Sequence, residues 1–457
     1  MEIKKEVKDL GSSNIQLDVT IDKQDAKEAY DKVIETYVKN AQIPGFRRGK
    51  VPASILEQRY GKSLKMEAGS NLIEKALTEI FDTDDKDIKP LGYEQPELIG
   101  DLDFEPDKDF TFSVSYDIFP KADLKKIDGF TIKAPVVTDE DAALENELKV
   151  IQRNNSFVVD KKDDETVQQG DLVTVDYAEL DESGNPIAET ERKEFAFEVG
   201  TKYNIYHLDD DIIGMKKGEE KDITKDFPED YEVASLSGKK VTVRVKLTAL
   251  KFRDMPKLDD DLAQDVNEKF KTLDDLKKDL TEKIKKAVDA RIQQIKIDNY
   301  LDSVLGANDF ALPESMVNAD VNLRWANVAR QMGISEAQLT AMMNKQQDGY
   351  NKERFAEAVK PESVKELKKR IVIESLLEAK PEITVTEADF EAEYNDIAES
   401  SNMQLKDVKE KYGSDEYKNY LTDIIKERKL FDLMLAACTV EDGEKIAASE
   451  LLQQQVR

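Results

Sequence analysis

Residues 45–52 read GFRRGKVP. Glycine and proline are typical of tight turns, so this stretch is predicted to form a short tip between two helices. The tip carries one aromatic residue and three cations, which are Phe46, Arg47, Arg48 and Lys50. An aromatic ring and positive charges that project together suit contact with phosphate and stacking or packing against a partner.

The segment around this tip, residues 39–65, is basic. It holds seven cations and a single acid, Glu57. The cations are Lys39, Arg47, Arg48, Lys50, Arg59, Lys62 and Lys65. The whole chain of 457 residues has a formal net charge of −29, which repels nucleic acid. A charge run is often only a solvated helix surface, but a basic segment in so acidic a chain indicates a polyanion contact.

The N-terminal part of the chain mixes strand and helix patterns. Residues 15–21 and 110–118 alternate apolar and polar side chains and are predicted to be half-buried strands. Residues 25–41 place apolar side chains at four-residue steps, which predicts an amphipathic helix. Two further helices are predicted, one starting after Pro52 and one over residues 72–81.

A connector over residues 116–155 is interrupted by prolines and a glycine. Its second half, residues 138–155, is predicted to be a charged helix in which Thr138 and Asp141 resemble a capping box. Residues 156–252 then alternate with period two between turn signals. This pattern predicts a compact β-rich module.

Residues 253–457 carry a helical pattern almost throughout. Leucine, isoleucine and valine recur at three- and four-residue spacings over residues 273–295, which predicts one long amphipathic helix. Pro313, Pro361 and Pro381 are predicted to fall at helix boundaries. The density of charge in this region suggests helices that are exposed on more than one side.

The residue inventory excludes several kinds of chemistry. A single histidine, His207, rules out a His-rich zinc site, and a single cysteine, Cys438, rules out an intrachain disulfide. The sequence contains no P-loop and no G-x-G-x-x-G motif, so we expect no metal ion and no cofactor. It also has no apolar stretch of the roughly 20 residues that span a bilayer and no signal-peptide pattern. A cytoplasmic protein without a membrane partner is therefore expected.

The GFRRGKVP segment resembles the G-F-R-x-G-K-x-P ribosome-binding loop of trigger factors, a family of chaperones, and every fixed position is matched. The β-rich module is similar to FKBP-type prolyl isomerase domains in VTVDY (173–177), FPEDY (227–231) and GKKVTVRVKL (238–247). Residues 305–317 resemble the start of an arm helix in the C-terminal domain of the family. The resemblance thus covers nearly the whole chain.

This resemblance implies an elongated α+β multidomain protein. Its parts would be an α/β ribosome-binding domain (1–115), a linker (116–155), an FKBP-like peptidyl-prolyl isomerase domain (156–252) and an all-α C-terminal chaperone domain with substrate-binding arms (253–457). The implied ribosome-binding residues are Gly45, Phe46, Arg47, Arg48, Gly49, Lys50 and Pro52. The implied partners are a ribosomal protein and rRNA at the exit tunnel, and nascent and unfolded polypeptides. Whether free molecules form a homodimer stays open.

Five residues match pocket-lining positions of the isomerase family: Tyr177, Phe195, Phe197, Ile205 and Tyr231. The family commonly has Phe at three positions where this chain has Ile187, Leu208 and Val243, and Tyr206-His207 replaces a Pro-Gly turn. We therefore expect the fold to persist with weakened catalysis, although ordinary core packing would also account for these aromatics. The acids Asp209 to Asp211 are expected to be a solvated helix start rather than a cation site.

Three functions are compatible with these sequence features. The leading one is an ATP-independent chaperone that binds nascent chains at the ribosome, and the alternative is a free-standing prolyl isomerase with client-recruiting domains. An RNA-binding regulator is disfavoured by the charge of −29 and by the lack of an RNA-binding module. Adaptable apolar side chains are candidates for client contact, or equally for core between helices: Phe310, Leu312, Met316, Val317, Trp325, Met332, Met342 and Met343.

Overall fold

A computed structural model of the protein describes residues 1–82, 85, 88–345, 351–401 and 403–453. Contacts divide the chain into two compact units. The first comprises residues 1–133 and 295–441, and the second comprises residues 134–294 together with the chain from Asp442 onward. Each unit is therefore assembled from segments that are distant in sequence.

The N-terminal part of the first unit is a sheet covered by two helices. Its elements are β1 (Ile3–Gly11), β2 (Asn14–Ile21), α1 (Lys23–Asn40), α2 (Ala53–Phe81), β3 (Glu97–Ile99) and β4 (Phe110–Asp117). The strands are antiparallel in the order β1-β2-β4-β3. The predicted strands β2 and β4 are confirmed, and their buried residues share one core with apolar side chains of α1 and α2. The strand β1 was not predicted from the sequence.

Residues 53–81 form a single helix, so the prediction of two separate helices here is wrong. Leu64 and Ala68 are fully buried and join Leu56 to Leu72 in one apolar stripe. Because such four-residue steps keep one face of a helix on the core, the helix continues where the sequence analysis predicted a break.

The predicted connector contains β5 (Thr131–Thr138) and α3 (Glu140–Asn154). The charged helix is confirmed as α3, but the predicted capping box is wrong. The residue that precedes the helix is Asp139, with φ of +57°, and its side chain makes no capping hydrogen bond. Thr138 instead ends β5, and the left-handed residue after it turns the chain from strand into helix. Earlier in the connector, Phe130 is buried beside Tyr300, with ring centroids 6.1 Å apart.

The middle of the second unit is the predicted β-rich module. It contains β6 (Phe157–Asp160), β7 (Leu172–Glu179), a 3-10 turn (Ala188–Thr190), β8 (Arg192–Glu198), α4 (Asp209–Ile212), β9 (Glu220–Asp226) and β10 (Lys240–Asp254). The sheet has the order β6-β10-β7-β8, and β9 pairs with the first half of the long β10. Apolar residues of β7 and β10 form its core with Leu208 and Ile212.

The C-terminal region is helical with one exception. Its elements are α5 (Asp260–Val266), α6 (Leu273–Ala307), α7 (Glu314–Gln331), α8 (Glu336–Met343), α9 (Lys352–Ala379), α10 (Glu387–Ser401), α11 (Leu405–Tyr412), α12 (Asp415–Ala436), β11 (Thr439–Ala447) and α13 (Ala448–Gln453). The predicted long amphipathic helix is confirmed as α6. The helical reading is wrong for β11, which pairs with β5. None of the described helices is long and apolar enough to cross a membrane.

Two of the three prolines expected at helix boundaries lie there, since Pro313 precedes α7 and Pro381 follows α9. Pro361 lies inside α9, so its predicted position is wrong. A proline removes one N–H from the hydrogen bonds of a helix, and packing on either side offsets this loss. Phe355 packs on Trp325 before the proline, with ring centroids 5.1 Å apart, and Leu367 is buried after it.

Candidate functional site: a cationic loop and an aromatic cluster

The segment between α1 and α2 consists of two consecutive tight turns. The Phe46 N–H donates to the Ile43 carbonyl at 3.0 Å, and the Lys50 N–H donates to the Arg47 carbonyl at 3.0 Å. Gly45 and Gly49 occupy the third position of each turn with φ of +95° and +78°. A positive φ at that position is the type II requirement that glycine meets without strain. The glycines therefore define the shape of the tip.

Buried apolar residues anchor both ends of this loop. Ile43 and Val51 are buried in the core of the N-terminal sheet and helices. Between them, the Phe46 side chain is exposed, at 40% of its full area. The apolar anchors fix the base of the loop, so the aromatic ring is held away from the core.

The cations of the tip have no acidic partner among the residues that the structure describes. Arg47, Arg48 and Lys50 are exposed and form no ion pair within the described residues. The outer cations of the basic segment do have acidic partners. Lys39 Nζ lies 3.9 Å from Glu35 Oε2, and Lys65 Nζ lies 2.7 Å from Glu105 Oε2. The positive charge is thus concentrated at the tip, where a polyanion can approach it.

The second candidate site is a cluster of aromatic rings in the β-rich module. Tyr177 of β7 packs edge-on against Phe195 of β8 at 5.6 Å between ring centroids. Phe195 contacts Phe197 on one side and stacks on Tyr203 on the other, at 5.9 and 6.1 Å. Side chains two residues apart on a strand point to the same face, which is why Phe195 and Phe197 meet. The structure thus brings together three of the five predicted pocket residues.

Tyr206 lies at the centre of this cluster. Its ring centroid is 5.6 Å from that of Tyr177 and 6.5 Å from that of Phe227, and its side chain is only 3% exposed. The hydroxyl donates to Glu179 Oε1 at 2.8 Å. Burial, followed by this hydrogen bond, raises the pKa of Tyr206, so the hydroxyl stays a donor. The sequence marked this position only as the loss of a proline.

Tyr231 and Ile205, the other two predicted pocket residues, lie beside His207. The Tyr231 hydroxyl donates to the Ile205 carbonyl at 2.7 Å and lies 3.3 Å from His207 Nε2. Burial raises the pKa of Tyr231, with a smaller contribution from Glu232. The Ile205 side chain is 45% exposed, so it lines the mouth of the cluster rather than its centre.

The turn that replaces Pro-Gly is held by the buried Asn204. The Tyr206 N–H donates to Asn204 Oδ1 at 2.9 Å, and the His207 N–H donates to the Asn204 carbonyl at 2.8 Å. These bonds keep His207 at φ of +47°, a conformation that costs a non-glycine residue about 1 kcal/mol. The glycine-like turn geometry therefore persists without the glycine.

Two of the positions at which this chain lacks the Phe common in the isomerase family do not line the aromatic cluster. Leu208 and Val243 are fully buried in the module core. The adjacent acids were expected to be solvated, which is wrong for Asp209. That side chain is buried and its Oδ1 accepts the N–H groups of Gly200 and Lys202, at 2.7 and 3.1 Å. Among the described residues, no group of three or more metal-ligating side chains is assembled.

The candidates for client contact divide by burial. Met316, Val317 and Trp325 are buried between helices, so core packing accounts for them. Met332 and Met342 are exposed. Phe310, Leu312 and Met343 are partly buried beside those cores.

Comparisons with known proteins agree along the whole chain. Residues 1–151 match the family model described as bacterial trigger factor protein, residues 163–250 match FKBP-type peptidyl-prolyl cis-trans isomerase, and residues 272–436 match the bacterial trigger factor C-terminus. The trigger factor of Treponema denticola is 40% identical, covering 99% of this chain and all of that protein. The trigger factors of Treponema pallidum and Borrelia turicatae are 36% and 32% identical, over 100% and 99% of this chain and the same shares of those proteins.

Proposed function

The chain belongs to the trigger factor family, and from this premise we propose which of its residues contact the ribosome and which contact prolyl peptides. The protein is a ribosome-associated chaperone with an FKBP-type peptidyl-prolyl cis-trans isomerase domain. Its partners are the ribosome and nascent polypeptides, and it acts in the cytoplasm, where those partners meet.

The tip between α1 and α2 is the ribosome contact. The observation that carries this assignment is a set of exposed cations, without ion pairs to any described residue, beside an exposed ring on a chain of charge −29. Arg47, Arg48 and Lys50 bind rRNA phosphates, while Phe46 packs against a ribosomal protein or a base. Gly45 and Gly49 supply the two turns that hold these side chains outward.

The assignment is tested by replacing the exposed side chains of the tip together. Phe46→Ala with Arg47→Ala and Arg48→Ala is expected to abolish co-sedimentation with empty 70S ribosomes. The fold is expected to stay intact, because all three side chains are exposed. Co-sedimentation at the wild-type level by a folded triple variant would refute the assignment.

The isomerase site uses packing rather than proton transfer. Rotation about an amide bond has a barrier of about 18–20 kcal/mol, because the C–N bond loses double-bond character. The twisted amide is less polar than the planar one, so an apolar pocket stabilises it selectively. Tyr177, Phe195, Phe197, Ile205 and Tyr231 form such a surface for an Xaa-Pro segment. The Tyr231 hydroxyl donates to the Ile205 carbonyl, which fixes its ring at the edge of this surface.

Isomerase activity is weak because Tyr206 occupies the middle of this surface. Its ring lies between Tyr177 and Phe227 and is almost fully buried. A proline ring cannot reach Tyr177 until Tyr206 moves, and that movement breaks the bond to Glu179. A net hydrogen bond of about 1 kcal/mol together with lost packing of similar size accounts for a loss of tenfold or more.

Restoring the Pro-Gly turn of the isomerase family tests whether Tyr206 limits activity. Tyr206→Pro with His207→Gly is expected to raise kcat/KM at least tenfold in a protease-coupled assay with an Xaa-Pro peptide. Adding Tyr231→Ala to that variant is expected to remove the gain, since the surface then loses a wall. An unchanged rate in a folded double variant would show that Tyr206 does not limit access.

In the helical region, the exposed candidate residues contact the client. Met332 and Met342 present flexible apolar side chains to solvent, and methionine adapts to varied surfaces. Replacing both with Ser is expected to weaken suppression of client aggregation, measured by light scattering. The matched control, Met316→Leu in the core, is expected to leave suppression unchanged, and equal effects of both changes would contradict this assignment.

A further inference from the structure

We propose that the outer edge of β6 binds an extended apolar segment of an unfolded polypeptide, which adds to the sheet as a further strand. β6 (Phe157–Asp160) is the terminal strand in the order β6-β10-β7-β8. Among the described residues, no strand pairs with its outer side. This surface lies outside the loop and the aromatic cluster discussed above.

The backbone of β6 offers hydrogen-bonding groups to such a segment. The Lys161 N–H donates to the Leu250 carbonyl at 3.0 Å, directly after the register pair of Asp160 with Lys251. Hydrogen-bonded and non-bonded pairs alternate along an antiparallel ladder. Phe157 and Val159 therefore bond to β10, whereas the N–H and C=O groups of Val158 and Asp160 point outward.

The side chains of β6 are apolar and exposed to an unusual degree for an edge. Phe157, Val158 and Val159 are 76%, 48% and 41% exposed. Proteins ordinarily protect an edge strand with proline, charge or a bulge, because an apolar edge recruits other strands. Here three apolar residues precede the first charge, Asp160, so both faces of an added strand would meet apolar side chains.

The size and charge of the surface favour a peptide over a second copy of the chain. Four residues at about 3.3 Å each give an edge roughly 13 Å long, and with a depth of about 10 Å it offers on the order of 130 Å². This is far below the roughly 800 Å² that each partner buries in a specific interface. Two copies would also each bring a charge of −29, and like charges oppose association. A single extended segment needs only a few backbone bonds and alternate side-chain contacts.

The position of β6 separates this surface from the isomerase cluster. Phe195 and Phe197 lie on β8, which is three strands away in the sheet. At about 4.8 Å between neighbouring strands, this distance is roughly 14 Å. A client segment without proline can therefore bind β6 while the aromatic cluster stays free.

Binding is tested with a fluorescein-labelled peptide of alternating valine and threonine, flanked by lysines and free of proline. Val158→Pro removes the outward N–H without touching the bonds to β10, and proline is tolerated on an outer edge. We expect this variant to bind the peptide at least fivefold more weakly by fluorescence anisotropy. The matched control, Val158→Thr, keeps the N–H and is expected to bind like the wild type.

Three further measurements make the result decisive. A peptide methylated at every amide has no N–H to donate from either edge, so it cannot pair with a strand and is expected to bind at least fivefold more weakly. Phe157→Thr with Val159→Thr removes apolar area without introducing proline, and this variant is expected to bind the peptide more weakly. It provides the test if Val158→Pro does not fold. Hydrogen exchange of the full chain is expected to show peptide-dependent protection at Val158 and Asp160.

Several outcomes would overturn the proposal. They are equal binding by folded Val158→Pro protein, equal binding of the methylated peptide, or protection confined to other elements. Sedimentation showing that β6 residues drive dimerisation instead of peptide binding would also overturn it. Ribosome co-sedimentation of the same variants is expected to be unchanged, so failure here is distinct from failure of the tip assignment.

Discussion

The arginines of the α1–α2 tip should set the salt dependence of ribosome binding. Three exposed cations of the tip, Arg47, Arg48 and Lys50, form no ion pair within the described residues. Each phosphate contact contributes a slope of about −0.7 to −0.9 to log K against log salt. Three contacts predict that the affinity falls by about 20- to 40-fold between 50 and 200 mM salt.

Removing two of these charges should flatten that dependence. Arg47→Ala with Arg48→Ala leaves Lys50 alone at the tip, so the loss over the same salt range should fall to about threefold. The measurement is an anisotropy titration of N-terminally labelled protein with empty 70S ribosomes at 50, 100 and 200 mM KCl. The affinity at 50 mM is also expected to be lower.

A second pair of basic residues provides the control. Arg59 and Lys62 are exposed on α2 outside the loop, so Arg59→Ala with Lys62→Ala removes the same charge from the same domain. This control is expected to keep the wild-type slope. Equal flattening by both pairs would show that the basic segment acts as a diffuse field, and the tip would then have no specific role.

Three further predictions follow from local geometry. Replacing residues 157–254 with a short Gly-Ser linker should leave a folded protein that loses only the contribution of β6 to suppression of client aggregation by light scattering, because the ends of the segment are paired neighbours in the sheet. Gly49→Ala should weaken ribosome co-sedimentation severalfold and lower Tm by only a few degrees, since φ of +78° is strained by about 1 kcal/mol for alanine. Hydrogen bonds from Gln16 and then Lys8 lower the pKa of Asp18 to about 2. Asp18→Asn should therefore cost about 1 kcal/mol in urea unfolding at pH 7, after allowing for solvent screening, and this cost should vanish as pH falls from about 4 to 2.

The sequence predicts the tip well because its chemistry is local. Glycine at the third position of a turn and Pro44 at the second are sufficient to indicate a type II turn, and the structure places Gly45 and Gly49 at positive φ. The strands β2 and β4 could be predicted equally well, because apolar and polar side chains that alternate over about eight residues are typical of a half-buried strand. In both cases the information lies within a few neighbouring residues.

Errors arose where distant packing overrides local signals. The helix α2 runs unbroken because Leu64 and Ala68 are buried in a core that they share with strands distant in sequence. Pro361 is accommodated because packing anchors α9 on both sides. The strand β11 exists because β5, some 300 residues earlier in the chain, pairs with it. A single sequence contains no measure of these contacts.

The aromatic cluster shows the same limit at a functional site. The resemblance to the isomerase family assigned Tyr177 and Phe197 to a pocket, and the structure buries both. It also places Leu208 in the closed core, where a larger Phe would overpack rather than widen a wall. Tyr206 attracted notice only as a missing proline, although its ring occupies the centre. Pocket shape depends on which rings touch, and periodicity does not encode that.

The contacts proposed for this protein differ in physical origin, and that difference separates them experimentally. Binding at the tip depends on phosphate contacts of Arg47 and Arg48, so it weakens steeply with salt. Pairing on β6 depends on backbone hydrogen bonds and on apolar area at Phe157, which salt screens little. Because the two surfaces share no residue, release from the ribosome at high salt leaves the client surface competent. A chaperone with two such separate surfaces would leave the ribosome while its client stays bound.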